Sequence, residues 1–155
     1  MTCITKILEL KGDKEFLPVN SRIVIEGGGS YKGIEYLITF TEMGTRCGYV
    51  AISEPFDYDD IDCHGGLTFF SQSHSAKKLL DIACDDIWIG FDAAHAYDGR
   101  SKNTVLKYFG ETKLSDSFFD CVEPFTIHRT YNFMENECQS IIDQLIKKNP
   151  LMVTE

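Results

Sequence analysis

Arginine is scarce in this chain. There are four, Arg22, Arg46, Arg100 and Arg129, and together with lysine they make 15 basic residues against 24 acidic ones, a formal net charge of −9. A surface of that sign repels a phosphate backbone unless its cations are gathered on one face, and no such gathering is visible, so nucleic acid is not expected as a direct partner. A small phosphorylated ligand held by one or two arginines is compatible with the same balance. Long apolar runs are missing too. The opening stretch MTCITKILEL places Lys6 and Glu9 inside its short hydrophobic segment, which fits neither a signal peptide nor a membrane span. Six cysteines, Cys3, Cys47, Cys63, Cys84, Cys121 and Cys138, include no CxxC or other close pair, which argues against zinc-ribbon and thioredoxin-type sites on spacing. With no export signal, these thiols are expected to be reduced and mostly buried, in a cytoplasm.

What is present suits one domain spanning residues 1–155. At 155 residues, 43% hydrophobic and 25% charged, the chain has the composition of an ordinary globular protein. A domain of this size hides roughly two-thirds of its unfolded surface, enough for one real core. No cofactor is needed for folding, and the sequence names none.

Along the chain, MTCITKILEL is short and amphipathic, and KGDKEFLPVN has the Gly, Asp and Pro of a surface connection. SRIVIE reads as a strand that GGGSYKG breaks; this glycine-rich break lacks the lysine and serine of a phosphate-binding loop, which favours a hairpin or mobile loop. Tyr36, Ile38 and Phe40 alternate with Glu35, Thr39 and Thr41, the turn EMGT follows, and RCGYVAIS runs back, so Glu35 to Ser53 is expected to be an antiparallel hairpin. EPFDYDDID carries Glu54, Asp57, Asp59, Asp60 and Asp62 without the frame of a calcium loop and suits a solvated loop, with Asp62 as the one carboxylate that would turn inward beside His64. GLTFF is a short strand. Ser75 then caps a helix striped by Ala76, Leu79, Leu80, Ala83 and Cys84, with His74 exposed ahead of it. IWIGF reads as a buried central strand ending in Asp92. TVLKYFG is expected to be a strand, and KLSDSFFDCVEP suits a helical turn or an edge strand. At the C-terminus, Asn132 and Glu135 fit a capping box, Met134, Cys138, Ile141, Ile142 and Leu145 make an apolar stripe, and Asn149-Pro150 stops the helix. The fold expected is α+β, an antiparallel or mixed sheet with at least two packed helices, the C-terminal one included.

Chemistry concentrates between Asp62 and Gly99. His64 and His95 each stand beside a carboxylate at a strand end, where a rigid sheet can aim side chains at a pocket. In HGGLT, Gly65 and Gly66 remove side chains that would keep a ligand from the backbone. In FDAAH, Asp92 and His95 share a face on any helical turn. His64, Asp92 and His95 are therefore the candidate catalytic groups, and Arg46, Gly65, Gly66, Thr68 and Asp98 the candidate ligand-binding ones. Two histidines and two carboxylates suit an acid–base pair with an orienting carboxylate or a metal site, though no complete metal-ligand motif is spelled out. The same residues suit a hydrogen-bonded pair that knits a loop to a strand. Nucleophilic catalysis is less well supported, since Cys63 and His64 would point to opposite faces of an extended segment, and Thr68 and Ser71 lack a nucleophile elbow.

The series RCGYV at 46–50, HGGLTF at 64–69, WIGFDAAH at 88–95 and NECQSIIDQL at 136–145 resembles a family of small phage and prophage proteins. The likeness runs from Tyr36 to Leu145. The family tends to have a cysteine where Ala93 stands and a Gly-Asp pair where this chain has Tyr97-Asp98. No site residue carries over from it; what it implies is a phage gene product acting in the cytoplasm of a bacterial host. Three functions fit the sequence. One is an accessory, anti-defence protein that binds, and hydrolyses, a small phosphate-bearing ligand such as a nucleotide signal. The second is an acidic inhibitor that presents Glu54 to Asp62 to a host protein as a decoy for phosphates. The third is a metal-dependent hydrolase.

Overall fold

Among the described residues, six strands form one antiparallel sheet with helices on both faces. The computed structural model describes residues 3–52, 57, 59–70, 87–95, 98–120 and 127–150. The strands are β1 (Leu17–Pro18), β2 (Ile23–Tyr31), β3 (Ile34–Thr41), β4 (Arg46–Ile52), β5 (Phe69–Phe70) and β6 (Ile87–Asp92), arranged in space as β1-β2-β3-β4-β6-β5 with every neighbouring pair antiparallel. The helices are α1 (Cys3–Lys11), α2 (Lys102–Phe109), α3 (Asp116–Asp120) and α4 (Tyr131–Lys148). This is the expected α+β architecture. No helix among the described residues is long and apolar enough to cross a membrane.

The expected hairpin is β3–β4, in register from Tyr36 opposite Val50 to Phe40 opposite Arg46. Its alternation, however, does not separate core from solvent. Tyr36, Ile38, Val50 and Phe91 pack against Met134, Cys138, Ile141 and Leu145 of α4, while Leu37, Tyr49 and Trp88 on the opposite face pack with Ile4 and Ile7 of α1. Thr39 is as buried as its apolar neighbours. A third cluster joins Val24 and Phe40 to Val105 of α2 and Phe119 of α3.

Three expectations change. The strand that begins at Ile23 does not break at the glycines; β2 continues to Tyr31. A Cβ on Gly28 would overlap the Tyr36 carbonyl, and one on Gly27 would meet the Tyr131 ring of α4, so these glycines serve close approach rather than a turn. TVLKYFG is not a strand but α2: the Ser101 side chain accepts from the Thr104 amide at 3.2 Å, and Gly110 closes the helix in the left-handed conformation at φ 77°. Its β-forming residues hide a helical stripe, Val105, Tyr108 and Phe109. The cap of α4 is Thr130, which accepts from the Phe133 amide at 3.2 Å, rather than Asn132. Asn149 ends α4, as expected. The helix expected from Ser75 to Cys84, with His74 and Ser71, lies outside the described residues, as do Glu54, Tyr97 and Cys121.

Candidate functional site

The end of β6 and the start of α4 meet at one end of the sheet, and the candidate residues divide between two places there. His64 sits in a turn closed by the Gly66 amide, which donates to the Cys63 carbonyl at 2.9 Å. Its own amide donates to Glu137 of α4 at 2.8 Å. The His64 ring lies edge-on to Phe133, with centroids 5.3 Å apart, and its Nε2 is 2.8 and 2.9 Å from the two oxygens of Asp98. Asp98 also accepts from Arg129 Nε at 2.9 Å and from the His95 amide at 3.0 Å. Its side chain is 1% exposed. Asp62 does not turn toward His64; it is exposed, with its backbone held by Gln144, and Asp98 takes the place next to the imidazole.

The two imidazoles converge, with ring centroids 5.6 Å apart. His95 is the more accessible, 40% exposed against 18% for His64, and its Nε2 is 3.4 Å from Asp92. Asp92 also accepts from the Thr68 hydroxyl and the Ala94 amide, both at 3.1 Å. Gly65 and Gly66 both have left-handed φ, 70° and 78°. A Cβ on Gly65 would overlap the His95 ring, whereas one on Gly66 would meet nothing, so the first glycine makes room for His95 and the second only turns the chain.

Burial works against ionisation of Asp98, but the hydrogen bonds from His64, Arg129 and the His95 amide outweigh it and hold its carboxyl below the ordinary value of 3.8. An ionised carboxylate only accepts, so Nε2 of His64 is the donor in this pair. This is an imidazole oriented by a buried carboxylate, the arrangement that general acid–base chemistry requires. Cys63 offers no nucleophile: burial, with the carboxylates of Glu137 and Asp62 adding to it, pushes its thiol up to about 11. Among the described residues no group of three or more His, Cys, Asp and Glu is placed to hold a metal ion.

Arg46 does not join the histidines. Its guanidinium is bonded twice to Glu26, at 2.6 and 3.0 Å, and the pair is 16% and 5% exposed. It is therefore neither a solvated strand end nor a free anion site. A register shift between Ile25 and Gly27 makes Glu26 the bulged residue of β2, and the bulge aims its carboxylate at Arg46. Tyr108 donates to the same carboxylate at 2.5 Å. Arg46 Nη1 in turn donates to the Arg129 carbonyl at 3.0 Å, so a buried polar chain runs from Tyr108 through Glu26 and Arg46 to the segment that carries Arg129. Sequence reasoning missed Glu26, Arg129 and Glu137. The first is re-aimed by a bulge and the others are far from His64 in the chain, so no local pattern marks them.

Beside this cluster opens a hollow of about 760 Å³ whose wall includes Asp92, Ala94, Cys47, Arg22 and Arg100. Burial, with the Asp92 charge adding to it, pushes the Cys47 thiol up to about 12, so this wall presents a neutral thiol. Arg100 donates to the Met43 carbonyl at 3.2 Å and lies over the Phe118 ring. Among the described residues Arg22 approaches Glu42 at 3.9 Å, with both side chains exposed.

Two outcomes follow from the cluster. Folding lowers the pKa of Asp98, so its contribution to stability is full above the unfolded value of 3.8 and is lost as the pH falls through the lower native value. Asp98→Ala is expected to cost about 3–5 kcal/mol at neutral pH, because it leaves Arg129 without its buried partner. The gap to the wild-type protein should narrow on acidification, as read by urea denaturation over a pH series. Gly66→Ala should cost only the ~1–2 kcal/mol of a left-handed L-residue. Gly65→Ala should cost more and should also move the His95 imidazole signals in NMR, which Gly66→Ala leaves in place.

Comparison of the chain with protein-family models, with curated proteins and with solved structures finds no match.

Proposed function

We propose that this protein binds a small phosphate-bearing ligand in the hollow beside Asp92 and hydrolyses its phosphate ester with the His64–His95 pair. One observation carries the reading: Asp92 stands in the wall of a hollow that also holds Arg22 and Arg100, and the same carboxylate is 3.4 Å from the accessible His95. Cations on the wall and an imidazole next to it are two things that phosphate-ester hydrolysis without a covalent nucleophile draws on. Water adds to phosphorus as His95 takes its proton, the bond from phosphorus to the ester oxygen breaks, and the departing oxygen recovers the proton. Asp98 orients His64 through its ring and His95 through its backbone, and Thr68 steadies Asp92. The phosphate partners are Arg22 and Arg100 rather than Arg46, which Glu26 already neutralises, or the Gly66 amide, which Cys63 already holds. The resemblance to small phage proteins supports an accessory, anti-defence role against a nucleotide signal in a bacterial cytoplasm.

A second reading, an acidic decoy for a host nucleic-acid-binding protein, draws on a different observation. The Asn149 side chain clamps the backbone of Asp57 by two bonds of 2.8 Å, and the Gln144 side chain clamps that of Asp62 by two of 2.7 Å. Between the clamps Asp59 and Asp60 are exposed.

Isothermal titration with inorganic phosphate and nucleotides separates the two. Under the first reading Arg100→Ala weakens binding by about tenfold, equivalent to about 1.4 kcal/mol. His95→Ala leaves affinity nearly intact but abolishes phosphate release. A wild-type protein that binds neither phosphate nor any nucleotide rejects this reading. Exchanging Asp57, Asp59 and Asp60 for lysine is expected to leave nucleotide affinity unchanged; a loss of host-protein capture in that variant, with no ligand binding in the wild type, selects the decoy.

A further inference from the structure

A second hollow, of about 610 Å³, lies across a ridge from the first and shares Asn20, Ser21, Arg22, Glu42 and Met43 with it. Both volumes fall in the range of small-molecule sites. The ridge has a firm backbone. The Glu42 amide donates to the Arg22 carbonyl at 2.8 Å, and Asn20 Oδ1 accepts from the amides of Arg22 and Ile23 at 2.8 and 3.0 Å. Its side chains are free to rearrange: Arg22 is 78% exposed, Glu42 46%, and their 3.9 Å pairing is the kind worth little in water. An incoming phosphate therefore displaces a weak partner from Arg22, at the junction of the two hollows.

The far side of the ridge carries both apolar and polar groups. Pro18, Phe109 and Leu114 give its far wall some apolar surface, beside the charged side chains of Glu111 and Lys113. With its oxygen occupied, Asn20 has its NH₂ group to offer as a donor. The Thr112 oxygen accepts from the Leu114 amide at 3.1 Å, which leaves its hydroxyl proton to donate. An aromatic ring and an aliphatic side chain beside fixed donors suit a flat heterocycle that carries acceptors, whereas a bare sugar would leave Phe109 and Leu114 unused.

We infer that the second hollow is a base subsite and that the ligand class is a nucleoside monophosphate, its phosphate at Arg22 and Arg100 and its base against Phe109 and Leu114. The inference rests on the reading of the first hollow as a phosphate site, and the test keeps the two apart. Adenosine monophosphate, ribose phosphate, inorganic phosphate and adenosine are titrated into the wild-type protein and into Thr112→Trp, which fills the second hollow. Adenosine monophosphate is expected to bind about tenfold more tightly than ribose phosphate, a gap of about 1.4 kcal/mol. Thr112→Trp should erase that advantage and leave inorganic phosphate unaffected. Nuclear Overhauser contacts from the adenine protons to Phe109 and Leu114 in the wild type supply the same answer should the variant fold poorly. Equal affinity of adenosine monophosphate and ribose phosphate, with phosphate still bound, overturns the base subsite alone. Absence of binding by any phosphate compound overturns both, and adenosine binding by itself in that case would leave a heterocycle site with no phosphate partner.

Discussion

A carboxylate taken out of water has to be paid back in hydrogen bonds, and Asp98 is repaid by its own turn and by two segments that are distant in the chain. His64 comes from the loop before β5, the His95 amide from the turn after β6, and the Arg129 guanidinium from the residue that precedes the cap of α4. Each bond is charge-assisted, and losing any of them leaves a buried anion short of a partner. The same interaction therefore fixes where the two loops lie on the end of the sheet and how the His64 ring faces. A parallel bridge from Asp98 to Ile127 and the hydrogen bond from the Gly99 amide to the Ile127 carbonyl hold that junction from the backbone side.

Burial also decides which arginines are available. Arg46 and Arg129 lie near the histidines but each is committed to a carboxylate no more than 5% exposed, so releasing either would strand a buried charge. Among the described residues Arg22 has an exposed, loosely placed glutamate as its partner. The molecule thus separates a buried polar cluster, suited to holding an imidazole in one orientation, from the cations at a hollow that Asp92 joins to it.

Much of the framework was legible in residue order. The β3–β4 hairpin, the IWIGF strand ending at Asp92 and the apolar stripe of α4 each follow from periodicity that tertiary packing reinforces. The failures have physical causes. TVLKYFG is rich in β-formers, but its ends carry a serine cap and a left-handed glycine, and end chemistry prevailed over propensity. The glycines of β2 look like a break because glycine usually is one, yet here Tyr131 and the Tyr36 carbonyl need the space. Glu35 and Thr39 suggested a solvent face for β3, and burial of Leu37 and Thr39 shows that a helix covers that side as well.

The sequence by itself determined that Asp92 ends a strand and that His95 follows close after it, because periodicity and turn chemistry are local properties. It also determined a net acidic chain with few arginines to offer an anion. Only the tertiary structure decided that Asp98 rather than Asp62 holds His64, that Gly65 yields its space to His95, and that Glu26 removes Arg46 from the site. Those choices depend on contacts between segments tens of residues apart and on a bulge that redirects one side chain, and neither leaves a periodic trace in residue order.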